Sequence, residues 1–165
     1  MSARHTGSMV TVSLRQLSHL EALDITEGRR PIGGWARDFP TETDIAVARM
    51  SQPASTTSNT PWSSPWLMIC DDVVVGMLGI KGPPKDGHVE VGYGVVPSCQ
   101  GRGVATAALR ALLERLVGHE LDVRAETATW NVASQGVLRQ NGFVEVGRTA
   151  NLEDGELIEW RRTLS

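Results

Sequence analysis

The residues most suited to binding a ligand form the segment 100–106, with the sequence QGRGVAT. The segment follows an alternating strand pattern that stops at Pro97, and it leads into the apolar periodicity of a helix. The first turn of a helix carries backbone N–H groups without partners, together with partial positive charge. Glycines at that point let a phosphate approach those N–H groups closely. The sequence therefore predicts a phosphate-binding loop at a helix start.

Two widespread phosphate-loop motifs fit this segment incompletely. The loop of nucleotide triphosphatases needs Lys followed by Ser or Thr after its last glycine, and Gly103 is followed by neither. The dinucleotide motif GxGxxG is met at Gly101 and Gly103, but Thr106 stands in place of the third glycine. Asp122 has the spacing of the ribose-binding acid of that motif, yet it begins its predicted strand, where the motif needs the acid at the strand's end. Only part of the dinucleotide motif is therefore present.

The remainder of the chain predicts the elements that hold this loop. Short alternating or β-branched runs predict strands, and apolar residues at helical spacing predict helices. Strands are predicted at 10–14, 66–70, 73–81, 88–96, 121–130, 143–148 and 157–163, and helices at 17–27, 42–50, 104–117 and 132–140. This order predicts an α+β domain with one mixed, mostly antiparallel sheet of about six to seven strands and helices on both faces. The segment 51–65, rich in Ser, Thr and Pro, predicts a long loop.

The composition is typical of a globular protein that folds as one domain. The chain has 165 residues, of which 41% are hydrophobic and 21% charged, close to the globular average. A net charge of −3 argues against a nucleic-acid surface, and no apolar run reaches the ~20 residues that a membrane span needs. We expect residues 1–8 to be a disordered or tag-derived N-terminus and residues 9–165 to form the domain.

Neither the cysteines nor the histidines have the spacing of a metal site. Cys70 and Cys99 are far apart, and the four histidines form no close pair. We therefore expect no metal, and a reducing, cytoplasmic environment in which both thiols stay free.

Two sequence motifs together indicate a known family. Residues 100–105, QGRGVA, match the pattern Q/R-x-x-G-x-G/A, and residues 130–143, WNVASQGVLRQNGF, match N-x-x-S-x-x-x-L-x-x-x-G-F. With these motifs and this element order, the chain resembles the GNAT superfamily of acyl-CoA-dependent N-acyltransferases over residues 10 to 163. The motifs are most similar to the branch related to the acetyltransferases of ribosomal-protein N-termini. The resemblance implies a GNAT-like fold, acetyl-CoA as the acyl donor, no metal, and a small-molecule or peptide amine as the acceptor.

The resemblance also assigns residues to the cofactor. It implies that the loop's backbone N–H groups hold the pyrophosphate, that the strand before the loop pairs with the pantetheine arm, and that Asn131 holds the arm from the far side. The implied cofactor residues are Tyr93, Gly94, Val95, Gln100, Gly101, Arg102, Gly103, Val104, Ala105, Thr106 and Asn131. Arg102 is equally explained as a solvated surface side chain, and Asn131 as a plain helix cap. Gly92 and Gly94 suit a strand bulge, a close ligand approach or relief of crowding against a helix.

The implied reaction needs a base, because an amine attacks a thioester only when the amine is neutral. Family members often place a carboxylate on the strand before the loop, which implies Glu90 as the base, although strand glutamates are more often simply solvent-facing. The resemblance implies the Val95 N–H as a donor to the thioester oxygen, and Ser134 as a contact of the sulfur or of a pantetheine amide. Leu138 stands where many relatives have a tyrosine acid. The single tyrosine, Tyr93, is expected to pack in the core.

The acceptor site is expected among the N-terminal helices and the 51–65 loop. Aromatic residues concentrate there, and Asp38, Glu42 and Asp44 supply negative charge that suits a cationic amine. The predicted acceptor-binding aromatics, with scattered core aromatics as the alternative, are Trp35, Phe39, Trp62 and Trp66. A second hypothesis, motivated by Leu138, is a non-catalytic or weakly active acyl-CoA-binding module. The sequence leaves the amine and the oligomeric state open, a homodimer included.

Overall fold

The computed structural model describes residues 10–30, 34–51 and 59–165. In chain order the elements are β1 (Ser13–Gln16), α1 (His19–Glu27), α2 (Glu42–Met50), β2 (Trp66–Cys70), β3 (Val73–Ile80), β4 (His88–Val95), a 3-10 helix (Pro97–Cys99), α3 (Val104–Leu116), β5 (Asp122–Ala128), α4 (Val132–Gln140), β6 (Val144–Asn151) and β7 (Gly155–Thr163). The expected N-terminal tag at 1–8 and part of the predicted 51–65 loop lie outside the described residues. No helix in the described ranges is long and apolar enough to cross a membrane.

The strands form one seven-stranded sheet in the order β1-β2-β3-β4-β5-β7-β6. The β4–β5 pair is parallel, and every other neighbouring pair of the sheet is antiparallel. The helix α3 and the loop before it make the crossover from β4 to β5, which a parallel pair requires. This architecture confirms the predicted α+β domain with a mixed, mostly antiparallel sheet.

The strands β4 and β5 stay together only over their first residues. Their parallel pairing ends at Glu90 and Arg124. Both strands then continue without pairing to each other, β4 to Val95 and β5 to Ala128. Along these stretches β4 remains bonded to β3, and β5 to β7. The sheet is therefore open between β4 and β5, and the backbone groups that face this gap have no strand partner.

The β2–β3 hairpin turns at Asp71 and Asp72, the two residues that separate the predicted strands 66–70 and 73–81. Both residues have positive φ, 51° and 61°, which a two-residue type I′ turn needs at both of its central positions. Aspartate visits this conformation more readily than most residues do. The Asp-Asp pair therefore sets the register with which β3 begins.

The first strand starts later than its prediction. Alternation predicts a strand over 10–14, whereas β1 covers Ser13–Gln16. Val10 and Val12 still pack against the core. Alternation reports which face of a segment is buried, but the length of a strand depends on its partner, and β2 pairs with the later residues.

The central helix α3 buries one face against the sheet. Its buried residues recur at helical spacing and are Val104, Ala108, Leu109, Leu112, Leu113 and Leu116. The helix contacts β1, β2 and β4, and it packs beside α4. This packing fixes the N-terminus of α3 relative to the end of β4, where the predicted phosphate loop lies.

A glycine on β3 permits the close approach of β3 and β4 beside the gap. A Cβ atom on Gly76 would overlap the carbonyl oxygen of Gly94 and lie 3.1 Å from the Cα of Val95. Both are backbone atoms, so they cannot rotate away as the end of a side chain can. Any side chain at position 76 must therefore displace the end of β4.

We expect Gly76→Ala to lower the free energy of unfolding by about 2 kcal/mol, as overpacking a tight site does. The matched control is Gly94→Ala in the same ladder, because no heavy atom lies within 4 Å of its Cβ position. The control should change the free energy of unfolding by less than about 0.5 kcal/mol. Urea denaturation followed by circular dichroism measures both variants. Equal losses for the two would contradict the close-approach argument.

Candidate active site

A cleft of about 290 Å³ occupies the gap between β4 and β5. Residues 91–93 of β4 form one wall, and residues 125–128 of β5 form the other. Asn131 and Ser134, at the start of α4, close one end. Of the predicted site residues, the structure therefore brings Tyr93, Asn131 and Ser134 to one cleft.

The backbone of β4 alternates between β3 and the cleft. The bond from Val96 N to Val75 O, at 2.9 Å, belongs to a ladder in which the even-numbered residues of β4 bond to β3. The N–H and C=O groups of Tyr93 and Val95 consequently face the gap. The backbone of Gly94 is used within the β3–β4 ladder, so it is not free to pair with an arm lying in the gap.

Gly92 and Gly94 lie on the face of β4 opposite to Tyr93. The β3–β4 register runs without a shift, so neither glycine marks a bulge. A Cβ on Gly94 would meet no heavy atom within 4 Å, and a Cβ on Gly92 would meet only the Cε of Lys81, at 3.5 Å. Neither a bulge nor crowding requires a glycine at these positions. Close approach of a ligand at these glycines stays a prediction.

The predicted phosphate loop has the backbone geometry of an anion site. Gly101 and Gly103 have φ of 74° and 80°, left-handed values that favour glycine. Gly103 is the N-cap of α3, and its carbonyl accepts the first helical bond, from Ala107 N at 3.1 Å. Among the described residues, the N–H groups of 101–106 bond to no backbone carbonyl. These free donors and the helix macrodipole favour an anionic ligand.

Two predicted cofactor residues in the loop use their side chains within the protein. Gln100 donates from Nε2 to the carbonyl of Val95 at 3.0 Å, which ties the loop to the end of β4. Arg102 lies 3.9 Å from Asp71 Oδ2, and both side chains are exposed. An exposed pair at this distance contributes little to stability. Backbone N–H groups are therefore the donors that this loop offers to an anion, and Gln100 orders the loop.

The start of α4 holds Ser134 at the cleft. Asn131 Oδ1 accepts a hydrogen bond from Ser134 N at 3.1 Å, the bond of a helix N-cap. The Tyr93 hydroxyl lies 2.9 Å from Ser134 Oγ and 3.2 Å from the Ser134 carbonyl oxygen. Asn131 is therefore a helix cap that also lines the cleft.

The single tyrosine is not only a core residue. The ring of Tyr93 packs against the core, as expected, but its hydroxyl lies at the cleft against α4. Burial raises the pKa of the Tyr93 phenol, so the group is a protonated donor at neutral pH. Leu138, at the position of the usual tyrosine acid, is fully buried. Strand alternation places Tyr93 on the face of Val91, but only the fold shows that this face meets Ser134.

The carboxylates that line the cleft are not the one predicted as base. Glu90 forms an ion pair with Lys81 and is not among the lining residues. Glu126 and Asp154 do line the cleft. Glu126 stands two residues beyond Arg124, the register partner of Glu90, so it lies on the same face of the sheet. Sequence reasoning missed Glu126, because finding it requires the register of β4 against β5.

The predicted acceptor aromatics lie away from the cleft. Phe39 is fully buried in the core, with its ring edge-on to Trp35 at 5.1 Å. The other two rings pack against side chains elsewhere, Trp62 on His119 and Trp66 on Arg115. None of the four lines the cleft, and their role in binding an acceptor stays a prediction. The aromatic residue that does line the cleft is Trp130, which is 75% exposed.

Two of the acids predicted to face the acceptor make structural contacts instead. Asp44 is buried in the capping box of α2 with Thr41, and burial raises its pKa. Asp38 accepts hydrogen bonds from Ser98 N at 2.8 Å and from Ser98 Oγ at 2.6 Å. Ser98 belongs to the 3-10 helix before the phosphate loop. Asp38 thus ties the segment between α1 and α2 to the approach of that loop.

No group of three or more His, Cys, Asp or Glu that could hold a metal ion occurs in the part of the chain that the structure describes. Cys70 and Cys99 are both free and buried.

Comparison with known proteins places the chain in a family. A family model described as an acetyltransferase (GNAT) domain matches residues 12–144, most of the chain. The chain therefore belongs to the GNAT acetyltransferase family. A search of curated proteins finds no match.

Three solved structures share the fold. RimL, a ribosomal L7/L12 alpha-N-protein acetyltransferase in complex with coenzyme A, matches with a TM-score of 0.57 and 23% identity, over 61% of this chain and 62% of that one. RimJ of Mycobacterium smegmatis, in complex with a CoA-disulfide, matches with a TM-score of 0.66 and 19% identity, over 92% of this chain and 81% of that one. A chimera of the spermidine N-acetyltransferase SpeG from Vibrio cholerae and hSSAT matches with a TM-score of 0.66 and 15% identity. This match covers 94% of this chain and 96% of the chimera. The match to RimL spans less than two thirds of that protein, and identities this low show the fold alone.

Asp38→Asn should lower the stability at neutral pH, and the difference from wild type should shrink in acid. The hydrogen bonds from Ser98, the hydroxyl first, lower the pKa of the Asp38 carboxyl. Its ionised form therefore stabilises the fold above the ordinary carboxyl range, near ~4, and this contribution is lost as the pH falls through the lowered folded-state pKa. Urea midpoints measured from neutral to acidic pH follow the difference. Ser98→Ala should reproduce it, whereas a difference that does not vary with pH would contradict it.

Proposed function

We propose that the chain is an acetyl-CoA-dependent N-acetyltransferase, which moves an acetyl group to the primary amine of a small molecule or peptide by direct attack in a ternary complex. The observation that carries the proposal is the opening of the sheet between β4 and β5 beside the unpartnered N–H groups at the start of α3. The loop offers donors for phosphates, and the gap offers an unpaired strand edge. Coenzyme A has a part that suits each feature.

The residues fit acetyl-CoA in both places. The N–H groups of 101–106 suit its pyrophosphate, and the left-handed glycines keep side chains away from it. The backbone of Tyr93 and Val95 suits the amides of the pantetheine arm, which can pair with a strand edge as a peptide does. Asn131 and Ser134 lie at the same cleft. When bound, acetyl-CoA supplies an acyl group activated as a thioester.

The N–H group of Val95 is suited to bind the thioester oxygen. It faces the gap at the end of β4, and the ladder to β3 holds it in position. The oxygen gains negative charge when an amine attacks, so a fixed donor aimed at it stabilises the transition state more than the ground state. The Gln100 side chain, bonded to the carbonyl of Val95, helps to keep this strand end in place.

Glu126 is the carboxylate best placed to take the proton of the amine. An α-amine has a pKa near ~8 and a lysine-type amine near ~10.4, so either is largely protonated at neutral pH. Glu126 lines the cleft, whereas Glu90 does not line it and is paired with Lys81, which does. The proton moves to Glu126 directly or through one water. The earlier assignment of Glu90 stays a prediction, and its variant is the comparison for Glu126.

The cleft suits a cationic acceptor amine. Glu126 and Asp154 supply negative charge along its lining, and the exposed ring of Trp130 can stack against a cation. Lys81 also lines the cleft, but its charge is paired with Glu90. Among the structural relatives, RimL is named for acting on a ribosomal protein, and SpeG for acting on spermidine. The proposal therefore includes both peptide and small-molecule amines.

A non-catalytic or weakly active acyl-CoA-binding module is the second candidate. The observation that favours it is Leu138, which is fully buried where many relatives carry a tyrosine acid. Such a module would bind acetyl-CoA at the same loop and gap, but it would release no CoA when amines are added.

We expect amine-dependent release of CoA from acetyl-CoA when the protein is offered a panel of N-terminal peptides, polyamines, amino acids and aminoglycosides. A thiol reagent detects the released CoA, and thermal shift with acetyl-CoA alone reports binding independently. Binding without turnover on any member of the panel would favour the module. Stabilisation by a nicotinamide dinucleotide but not by acetyl-CoA would overturn the proposal.

Glu126→Gln should lower kcat/KM for the amine by about 100-fold at neutral pH, the scale of a lost general base. The loss should shrink as the pH rises towards the pKa of the amine, because less of the amine then needs deprotonation. Glu90→Gln is the matched variant, and we expect its loss to stay within about fivefold. The pH profiles of both variants test the assignment. A larger, pH-dependent loss for Glu90→Gln would return the role to Glu90.

A further inference from the structure

Lys81 brings a positive charge to a cleft whose lining also holds the carboxylates Glu126 and Asp154. It directly follows β3, and its backbone N–H donates to the carbonyl of Glu90 at 2.8 Å. The sequence contains one other lysine, Lys85, which is exposed in the same connection between β3 and β4 and is not among the lining residues. Neither the binding of acetyl-CoA nor the removal of the amine's proton uses the charge of Lys81.

The strand registers set Lys81 and Glu126 on the same face of the sheet. Lys81 lies opposite Glu90 where the antiparallel β3–β4 ladder continues, so the two side chains share a face. Glu126 lies on that face as well, because Glu90 pairs with Arg124, two residues before Glu126. Continued along both strands, the same register sets Gly92 level with Glu126.

The stem of Lys81 leans along β4 towards the level of Glu126. Its Cε lies 3.5 Å from the position that a Cβ on Gly92 would take. Because Gly92 has no side chain, nothing on β4 at this level separates the lysine from the cleft. The ammonium of Lys81 and the carboxylate of Glu126 therefore border the same open space from two different strands.

The ion pair with Glu90 holds the Lys81 ammonium without using all of its donors. The lysine side chain is 60% exposed and that of Glu90 is 34% exposed, so the pair contributes little to stability. An ammonium group carries three N–H donors. With one of them on Glu90, two remain for a ligand in the cleft. Glu90 thus acts as a support that keeps this charge beside the cleft.

We infer that Lys81 is a specificity-determining residue, which donates hydrogen bonds to a carboxylate that the acceptor carries close to its reacting amine. The inference rests on the proposed acetyltransferase function and narrows its acceptor to a zwitterionic amine. Glu126 and Asp154 attract the ammonium end of such a molecule, and Lys81 binds its carboxylate end.

Two kinds of acceptor have this chemistry. One is a free amino acid, and the other is a peptide with an acidic side chain next to its N-terminus. A polyamine has no carboxylate for Lys81, and its second ammonium is repelled by the lysine. The inference therefore ranks zwitterionic amines above polyamines as substrates of this cleft.

Acceptors matched in all but a carboxylate test the inference. One arm compares an amino acid with its amide, and the other compares C-terminally amidated peptides with Asp or Asn in second place. We expect Lys81→Met to lower the carboxylate-over-amide ratio of kcat/KM about tenfold, the scale of a charge-assisted hydrogen bond. Differences in amine pKa cancel, because the same acceptors are offered to both proteins. The arm with the larger change identifies the source of the carboxylate.

Three further measurements separate recognition by Lys81 from a purely structural pairing with Glu90. Lys81→Arg keeps the charge and should retain most of the preference, whereas Lys85→Met, the matched control, should leave the ratio unchanged. For a diamine, Lys81→Met should raise kcat/KM about threefold, because the repulsion of its second ammonium is lost. Added salt should weaken the preference of the wild type, because it screens an exposed charge. A purely structural pairing would alter stability and leave these ratios unchanged.

Thermal shift measures the same preference without turnover. The protein loaded with CoA forms a dead-end complex with an acceptor, and an acceptor that binds raises the midpoint of unfolding. The carboxylate member of each pair should stabilise the wild type more than the amide member does. In Lys81→Met the two members should stabilise equally.

The outcomes distinguish this inference from the proposed function. No binding of CoA would overturn both. Turnover of amines with equal kcat/KM for the carboxylate and amide members would overturn the role of Lys81 and leave the proposed function standing. A carboxylate preference that persists in Lys81→Met would also overturn that role. A preference that is lost in Lys81→Met and kept in Lys85→Met would support it.

Discussion

The separation of β4 from β5 beyond Glu90 and Arg124 is the constraint on which the rest of the structure depends. Backbone N–H and C=O groups without partners are costly when they are buried, so a sheet normally stays closed. Here the unpaired edge lines an open cleft, where water or a ligand can satisfy it. A strand-like ligand that enters the gap completes the pairing which the sheet lacks. The opening is therefore tolerated by the fold and useful to the site for the same reason.

The elements around the gap are held by contacts that leave it open. β4 is kept in place from its other side, where Gly76 allows β3 to approach the Gly94 carbonyl. The helix α3 packs across the sheet, so its free N–H groups stay beside the end of β4. Asp38 reaches Ser98 from the N-terminal part of the chain and holds the approach to the loop. Each contact fixes backbone near the cleft without filling the cleft itself.

The polar side chains at the cleft are divided between the two faces of the sheet. Tyr93 projects from β4 towards α4, where it meets Ser134. Residues of alternate parity, with Glu126 among them, project from the other face. An acyl donor bound in the gap, as we propose, would lie between hydroxyls on one side and a carboxylate on the other.

The sequence by itself determined the features that depend on neighbouring residues. The Asp71–Asp72 turn, the glycines of the phosphate loop, the Asn131 cap and the order of the elements all follow from local conformational preferences and periodicity. Only the tertiary structure decided which side chains share the cleft. The end of the β4–β5 pairing leaves Glu126, and not Glu90, along the cleft, core packing buries Phe39, and the start of α4 brings Ser134 to Tyr93. These outcomes depend on the distance between segments far apart in the chain, which local patterns do not encode.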